Sequence, residues 1–426
     1  MNQEIFDLLG VGVGPFNLGL ACLAHSIPIK TIFFDKADDF QWHPGLMISD
    51  ATLQIPFIAD LVSFADPTNP FSFLNYLKDT SRLYQFYIRE SMYILRSEYN
   101  QYCQWAVSQL SNLYFKHEVV DIEYSPKEKI YQVTVLNKQT NKIHHCFAKN
   151  IVLGTGTSPS IPYFCENLPS EKICHSAEYL KFKAQYQKSK SITIIGSGQS
   201  AAEIFYDLLK DIDSYKYSLN WFTRSPRFYP LEYSKLTLEL TSPDYMDYFF
   251  HLPPEKRDSL IDSQKNLYKG INLGLINQIY DLMYIKSQDP NNKIRLMSNM
   301  ELRSVIQSNN SLKLDLHHIE KDTSLTTQSE KIILATGYSY IVPKCIKSLS
   351  NLIKLDYKGR PDVSLNYCIS KENNIFVQNV GLYTHGLVTP DLGMACYRNT
   401  VILREITGNI YYPLEKKIAF QEFPIQ

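Results

Sequence analysis

No dithiol motif occurs in this chain. Of its eight cysteines the closest two, Cys165 and Cys174, are nine residues apart, and no C-x-x-C is present. That spacing argues against zinc ribbons and dithiol redox centres, and a disulfide framework is not expected at this size. Reduced, buried thiols are the expected state. An excess of one charge is missing too. The 43 Lys and Arg balance 43 Asp and Glu, which argues against a nucleic-acid binder driven by bulk charge. With 44% hydrophobic and 20% charged residues, the composition is that of a soluble globular protein and not of a disordered one. Long apolar runs are also scarce. Leu8–Ile29 lacks Asp, Glu, Lys and Arg, but it contains Gly10, Gly12, Gly14, Pro15, Asn17, Gly19 and Pro28, too many helix-weakening residues for a plain spanning helix. Asp7 stands where a signal peptide would carry basic residues. The stretch reads as a buried strand followed by a buried helix. No other segment competes as a span, so the expected location is the cytoplasm, with no membrane and no nucleic acid among the partners.

What is present is a strand–glycine–helix–strand pattern, twice. Ile5–Leu9 is a short apolar run ending in a glycine cluster. A helix-like stretch follows to about Ala24, and Thr31–Phe34 is a second apolar run ending in Asp35. The pattern recurs at Ser191–Ile195, Gly196-Ser-Gly198-Gln199-Ser200-Ala201, and Leu219–Thr223. Two βαβ units in 426 residues predict an α/β fold with two Rossmann-like dinucleotide-binding domains. Ile130–Leu136 and Lys142–Phe147 read as a hairpin, and Ile151–Leu153 as a buried strand. Residues 230–290, with Leu236, Leu240, Leu275, Ile276, Ile279 and Tyr280 at helical spacing, read as a smaller, mostly helical substrate subdomain. The expected division is 1–185 with 325–426 for one nucleotide domain, 186–229 with 291–324 for the other, and 230–290 as the insertion.

The two turns differ in a chemically useful way. In the first, Gly12 permits the tight strand-to-helix turn and Gly14 lets backbone approach a pyrophosphate at the helix N-terminus, beside Pro15. Asn17 replaces the third glycine, so helix–strand packing must differ there. Asp35 is placed to accept ribose hydroxyls, which points to FAD. In the second, no acid follows the next strand. Arg224 stands there instead and can clamp a 2′-phosphate that a carboxylate would repel, which points to NADPH. Hydride transfer between the two cofactors follows. Disulfide reductases use this layout but need a redox dithiol, which is missing. Flavin monooxygenases need only reduced flavin, oxygen and a dry pocket.

Trp42-His43-Pro44-Gly45-Leu46-Met47, Leu53-Gln54, Asp60 to Thr68, Pro70 to Leu77, Arg96 to Asn100, His175-Ser176, Gly198-Gln199-Ser200, Ala335-Thr336-Gly337-Tyr338 and Thr384-His385-Gly386 resemble, in order, the lysine/ornithine N-monooxygenase family of siderophore biosynthesis. The resemblance implies FAD reduced by NADPH, a C4a-hydroperoxyflavin, and attack by a neutral primary amine to give a hydroxylamine. It implies FAD contacts from Gly12, Gly14, Pro15, Asp35, Trp42, His43, Leu53, Gln54, Arg96, Thr336, Gly337 and Leu392. It implies NADPH contacts from Gly196, Gly198, Gln199, Ser200 and Arg224, catalytic roles for Gln54 and His43, and a homodimer or homotetramer. No general base is visible. Neutralising an alkylammonium of pKa ~10.4 at pH 7.4 costs about 4 kcal/mol, so activity should rise toward alkaline pH. No metal site is expected, because His144-His145-Cys146 has no second ligand cluster nearby.

The resemblance also bears on the substrate. Amino-acid-hydroxylating members carry a Lys in the Phe-x-Lys-Asp-Leu segment, where this chain has Ala59. An Asn before a Glu becomes Leu238 before Glu239, and a Ser becomes Gly393. All three departures remove polar groups, and a carboxylate buried without its cation is heavily penalised. The expected substrate is therefore an amine without a carboxylate: putrescine or cadaverine, with histamine, or lysine or ornithine, as alternatives. A flavoprotein that binds amine and mostly makes peroxide is a further reading. The expected substrate residues are Ala59, Leu238, Glu239, Asn272, Asp391 and Gly393, with Asp391 or Glu239 facing the distal ammonium of a diamine.

Overall fold

The computed structural model describes residues 4–308, 310–372, 374–415 and 417–423. The chain opens with β1 (Ile5–Val11), α1 (Pro15–His25) and β2 (Thr31–Phe34). Then come α2 (Phe73–Asp79), α3 (Leu83–Arg89), α4 (Arg96–Ser108) and β3 (Leu113–Tyr114). A meander follows: β4 (His117–Ser125), β5 (Ile130–Asn137) and β6 (Lys142–Leu153). A short β7 (Ser158–Pro159) leads to β8 (Ile173–His175), α5 (Tyr179–Tyr186), β9 (Ser191–Ile195), α6 (Gln199–Tyr215) and β10 (Ser218–Phe222). Four helices come next: α7 (Lys235–Leu238), α8 (Pro243–Phe250), α9 (Pro254–Ser263) and α10 (Leu273–Lys286). The chain ends through β11 (Ile294–Met297), β12 (Met300–Ser308), β13 (Ser311–His318), β14 (Thr323–Ser329), β15 (Lys331–Leu334), β16 (Tyr338–Ser339), β17 (Ile375–Val377), α11 (Leu382–His385) and α12 (Met394–Thr407).

Two dinucleotide-binding folds result. The first lobe has a seven-stranded sheet ordered β3-β2-β1-β6-β5-β4, with β17 also on β6. The charge-free N-terminal stretch becomes its central strand and first helix. Every residue of α1 from Asn17 to Ala24 is buried, because helices α4 and α12 cover it; a helix enclosed on all sides needs no polar face. The stretches read as a hairpin strand and a separate buried strand are one twelve-residue strand, β6. Its first half pairs antiparallel with β5, as at Val133↔Cys146, and its second half parallel with β1 and β17, as at Leu9↔Ile151 and Ile375↔Ile151. Burial is interrupted in the first half and continuous over Ile151–Leu153. The side-chain period is lost where a half-solvated meander enters a sheet covered on both faces.

The second lobe has a parallel sheet ordered β11-β10-β9-β15-β8. Strands β8 and β15 lie outside the segments 186–229 and 291–324, so cuts at 185 and 325 pass through this sheet. A three-residue strand such as β8 is too short to show a period. The two linkers between lobes are tied to each other, since β7 pairs antiparallel with β16. Residues 230–290 are helical, but they pack in two directions. Leu275, Ile276, Ile279, Leu282 and Met283 of α10 join the core around α6. Tyr245, Phe249 and Ile261 of α8 and α9 form a separate cluster with Leu387. All eight cysteines are free, and all but Cys146 are buried. Among the described residues, no helix is long and apolar enough to cross a membrane, and no cluster of His, Cys, Asp or Glu is placed to hold a metal.

Candidate active site

The first glycine turn is built around two close approaches. Gly12 has φ +86°, and a Cβ there would lie 2.5 Å from the Gly154 carbonyl. Asn17 fills the space left by the missing third glycine. It is fully buried, its Nδ2 donates to the Gly12 carbonyl (2.8 Å), and a Cβ on Gly154 would lie 2.3 Å from that nitrogen. The glycine needed for close packing has thus moved from the helix to the end of β6. Gly14 faces open space, and the turn's Val13 N–H donates to Asp35 Oδ2 (2.6 Å). In the second turn Gly196 is pressed against the Ala335 carbonyl, while a Cβ on Gly198 would meet only the Lys269 carbonyl at 3.9 Å, at the N-terminus of α6. Both turns leave room where a pyrophosphate would meet a helix N-terminus. Arg224 is exposed beyond the second turn. Lys269 is close enough to be felt: burial, then Lys265 and Arg224, hold its ammonium below the usual range. Two cations there suit a 2′-phosphate.

A polar chain joins the lobes. Arg96 forms a bidentate pair with Glu203 (2.8 and 2.9 Å) and also donates to the Leu46 carbonyl (2.8 Å). Glu203 also accepts from Gln199 Nε2 (3.0 Å), and Gln199 Oε1 accepts the Asn272 N–H (2.8 Å). Arg96 and Gln199 therefore meet protein partners on this seam. Asn272 caps α10 and does not line the cavity described next. Ser200 is in the first turn of α6.

In the first lobe, Trp42 stacks edge-on against Tyr99 and His43, each at 4.9 Å, and Leu53 is buried. Gln54 Nε2 is buried without a partner, an orphaned donor suited to an acceptor the protein does not supply. His43 takes a left-handed φ of 50°. Its side chain is exposed, yet the protein packed beside the ring desolvates it and, with Arg96 adding to this, lowers its pKa to about 4. It is therefore neutral at working pH. Thr336 Oγ1 donates to the Ser160 carbonyl (2.5 Å), and the Gly337 carbonyl bonds the His175 ring (3.0 Å). Leu392 packs on the first-lobe core.

Four of the substrate candidates, Leu238, Glu239, Asp391 and Gly393, line one cavity of about 380 Å³, together with Phe64. Ala59 borders it: a Cβ on Gly393 would stand 3.5 Å from the Ala59 methyl, 3.4 Å from the Phe64 ring and 3.0 Å from Asp391 Oδ1. Asp391 Oδ1 accepts the Met394 N–H at the start of α12 (3.1 Å). Burial pushes this carboxyl above the usual range, against the pull of the Met394 and Gly393 N–H groups. Glu239 lines the same cavity, but both its oxygens are taken by backbone N–H groups of Phe420 and Gln421 (2.9 Å each).

The sequence matches the L-lysine 6-monooxygenase/L-ornithine 5-monooxygenase family over residues 4–340. The chain belongs to this family. It is 52% identical to a putrescine N-hydroxylase from Acinetobacter baumannii over 423 residues, covering 99% of this chain and 94% of that protein. A putrescine N-hydroxylase from Shewanella oneidensis is 50% identical over 424 residues, covering 99% of this chain and 85% of that one. The FAD-bound cadaverine monooxygenase of the desferrioxamine pathway from Erwinia amylovora superposes with a TM-score of 0.97 at 50% identity, covering 100% and 99% of the two chains.

Several residues of this N-monooxygenase site have no sequence signal. Lys269 follows no motif, and its closeness to Arg224 is a tertiary fact. Tyr233 is pushed up to about 12 by burial, the Tyr93 hydroxyl and the charge of Asp391, none of which its sequence neighbourhood signals. The wall formed by Leu414, Glu415, Ile418 and Ala419 comes from a C-terminal stretch whose described residues have no regular structure. Gly154 could have been found, as the glycine closing a buried strand opposite a turn that lacked its own.

Proposed function

We propose that this protein N-hydroxylates a diamine that carries no carboxylate, putrescine or cadaverine, for hydroxamate siderophore synthesis: R–NH2 + O2 + NADPH + H⁺ gives R–NHOH + H2O + NADP⁺. The observation that carries this is that Gly393 and Asp391 line one cavity, with the Ala59 methyl packed beside Gly393. Two of the three are too small and apolar to hold a carboxylate, and the third repels one. Among the described lining residues the only cation is Lys235, exposed at the start of α7 and outnumbered by Asp391, Glu239 and Glu415. The names of the 50–52% identical relatives support the same substrate class.

FAD, when bound and reduced by NADPH, supplies the oxygen activation. The chain's own residues do the rest. Gly12, Gly14 and Pro15 seat the FAD pyrophosphate and Asp35 its ribose, while Gln54 gives its free N–H to the flavin side. Gly196, Gly198 and Ser200 hold NADPH, with Arg224 and Lys269 at the 2′-phosphate, while the Gln199 amide ties α6 to Asn272. Trp42 and Leu53 keep water from the reacting centre, where solvent would divert oxygen to peroxide. Asp391 holds the distal ammonium. The reacting amine must be neutral, and an apolar wall lowers its pKa by disfavouring the charged form. His43 is a wall and not an acid, since its ring is already neutral. The enzyme works as a homo-oligomer in the cytoplasm.

A substrate panel tests the proposal: NADPH-dependent hydroxylamine formation with putrescine, cadaverine, histamine, ornithine and lysine. The diamines should give the highest kcat/KM. Lysine outrunning cadaverine would overturn it.

A further inference from the structure

The last described residues run across the cavity that carries Asp391. Pro413, Leu414, Glu415, Ile418 and Ala419 line it. The described residues of this stretch form no helix or strand, so their backbone groups need other partners. Two carboxylates of the helical insertion supply them. Asp244 Oδ2, in the first turn of α8, accepts the N–H groups of Ile418 (3.0 Å) and Ala419 (3.1 Å). Glu239 accepts the N–H of Phe420 on Oε1 and that of Gln421 on Oε2, both at 2.9 Å. Gln421 adds its side-chain amide to Glu239 (2.9 Å) and to the Leu236 carbonyl (2.7 Å). Four consecutive amides are thus held by two ionised acceptors, the stronger class of hydrogen bond. The N–H groups of Phe420 and Gln421 in turn hold Glu239 below the usual carboxylate range.

The other end of the segment is fixed to the first lobe. The Tyr412 hydroxyl donates to the Leu23 carbonyl of α1 (2.7 Å). Past the carboxylates, Phe423 packs edge-on against Tyr245 at 5.0 Å. The segment therefore bridges the first lobe and the insertion, with the cavity beneath it. Terminal stretches of this kind are ordinarily mobile unless tied down, and here the ties are side chains that also line the cavity or begin the helix beside it.

We propose that Glu239 and Asp244 are positioning residues: by holding residues 418–421 they strap Pro413, Leu414, Glu415, Ile418 and Ala419 over the amine cavity, so that these residues form its outer wall during the reaction. The inference rests on the diamine reading for the identity of the amine but not for the existence of the wall. The strap excludes water from the bound amine.

The test uses the full-length FAD enzyme with Glu239→Ala, Glu239→Gln, and a chain ending at Tyr412. Three quantities are read: KM against kcat for cadaverine and putrescine, the fraction of NADPH recovered as hydroxylamine or as hydrogen peroxide, and the rate of tryptic cleavage after Lys417. In Glu239→Ala, KM rises about tenfold, as loss of charge-assisted bonds implies, with kcat changed less. The peroxide fraction grows, and cleavage is faster. Glu239→Gln, which keeps one acceptor, falls between wild type and Glu239→Ala. The shortened chain reproduces the KM and peroxide changes. Wild-type KM and coupling in Glu239→Ala and in the shortened chain would overturn the proposal, as would wild-type cleavage in Glu239→Ala. A wild-type enzyme that prefers lysine would instead sink the diamine reading, and the same three measurements with lysine would still decide the strap.

Discussion

Asp391→Asn separates charge from shape at the centre of the cavity. Asn retains an oxygen for the Met394 N–H that Asp391 now accepts at 3.1 Å, so the start of α12 keeps its partner. Only the negative charge is removed. A carboxylate and an ammonium about 4 Å apart attract by about 4 kcal/mol at an effective permittivity near 20. Part of that is lost to desolvation, the same burial that holds the Asp391 carboxyl above its usual range. A net of about 2–3 kcal/mol remains, in line with hydrogen bonds to charged groups. At 1.4 kcal/mol per decade this is an increase in KM of about 30- to 150-fold for putrescine or cadaverine. Butylamine and pentylamine offer the same reacting end and no second charge, so their KM should stay within about threefold. The assay is hydroxylamine formation with the four amines in the two proteins. Acidification should act in the same direction. As pH falls through the raised pKa of Asp391, its carboxylate is protonated, the attraction is lost, and KM for diamines rises in the wild type but not in the variant. Equal factors for diamines and monoamines would refute the assignment.

Three further outcomes are expected. In the wild type, kcat/KM for the preferred amine should climb by about tenfold per pH unit from pH 6 toward 9, as the neutral amine fraction does. His43, at about 4, and His385, at about 3, are already neutral there and add no step; a flat profile would contradict this. Ala59→Lys places an ammonium beside Gly393 and Asp391, so the diamine KM should rise at least about tenfold through like-charge repulsion and capture of Asp391, and an unchanged KM would count against this geometry. Arg224→Gln should raise the KM for NADPH by about tenfold or more while leaving that for NADH nearly unchanged, since only NADPH carries the 2′-phosphate; equal effects on both would remove Arg224 from that role.

The parts of the fold that a reader could take from the sequence are those where one physical demand dominates a short window. A strand buried on both faces must be apolar throughout, and a strand-to-helix turn facing a phosphate must be glycine-rich. Hence β1–α1–β2 and β9–α6–β10 are legible residue by residue. The continuity of β6 is not, because its hydrophobic period changes halfway along. Strand β8 has three residues, and its place beside β15 is set by pairing at Ile332↔Ile173, which no local pattern encodes. The Arg96–Glu203 pair joins residues 107 apart in the chain, and the resemblance that marked Arg96 as an FAD contact names no such partner. Asn17 shows the intermediate case. The sequence says a glycine is missing and packing must change, but only the structure places the compensation at Gly154. Ala59, Leu238 and Gly393 were reached through resemblance, and their convergence explains why three scattered losses of polarity act together.

On the function proposed above, specificity follows from what the cavity walls withhold. A zwitterionic amino acid brings an ammonium and a carboxylate, and the carboxylate would lose its hydration against Ala59 and Gly393 with nothing in return, a cost of several kcal/mol for a charge. A diamine brings a second ammonium to the same place and finds Asp391. The discrimination therefore has two additive sources, one repulsive and one attractive, and they sit on different pieces of chain. Asp391 and Gly393 precede α12 in the first lobe, Leu238 belongs to the insertion, and Glu415 rides on a segment held by Glu239 and Asp244. None of these residues lies in a dinucleotide turn. Exchanging the substrate thus requires no change at Gly12, Gly14, Gly196 or Gly198. By the same reasoning Ala59→Lys alone should not produce a lysine hydroxylase: it removes the unpaired carboxylate's penalty but leaves Asp391 to compete for the new cation. Only Ala59→Lys with Asp391→Asn presents a free ammonium to a carboxylate, so gain of lysine turnover should appear in the double variant and not in either single one.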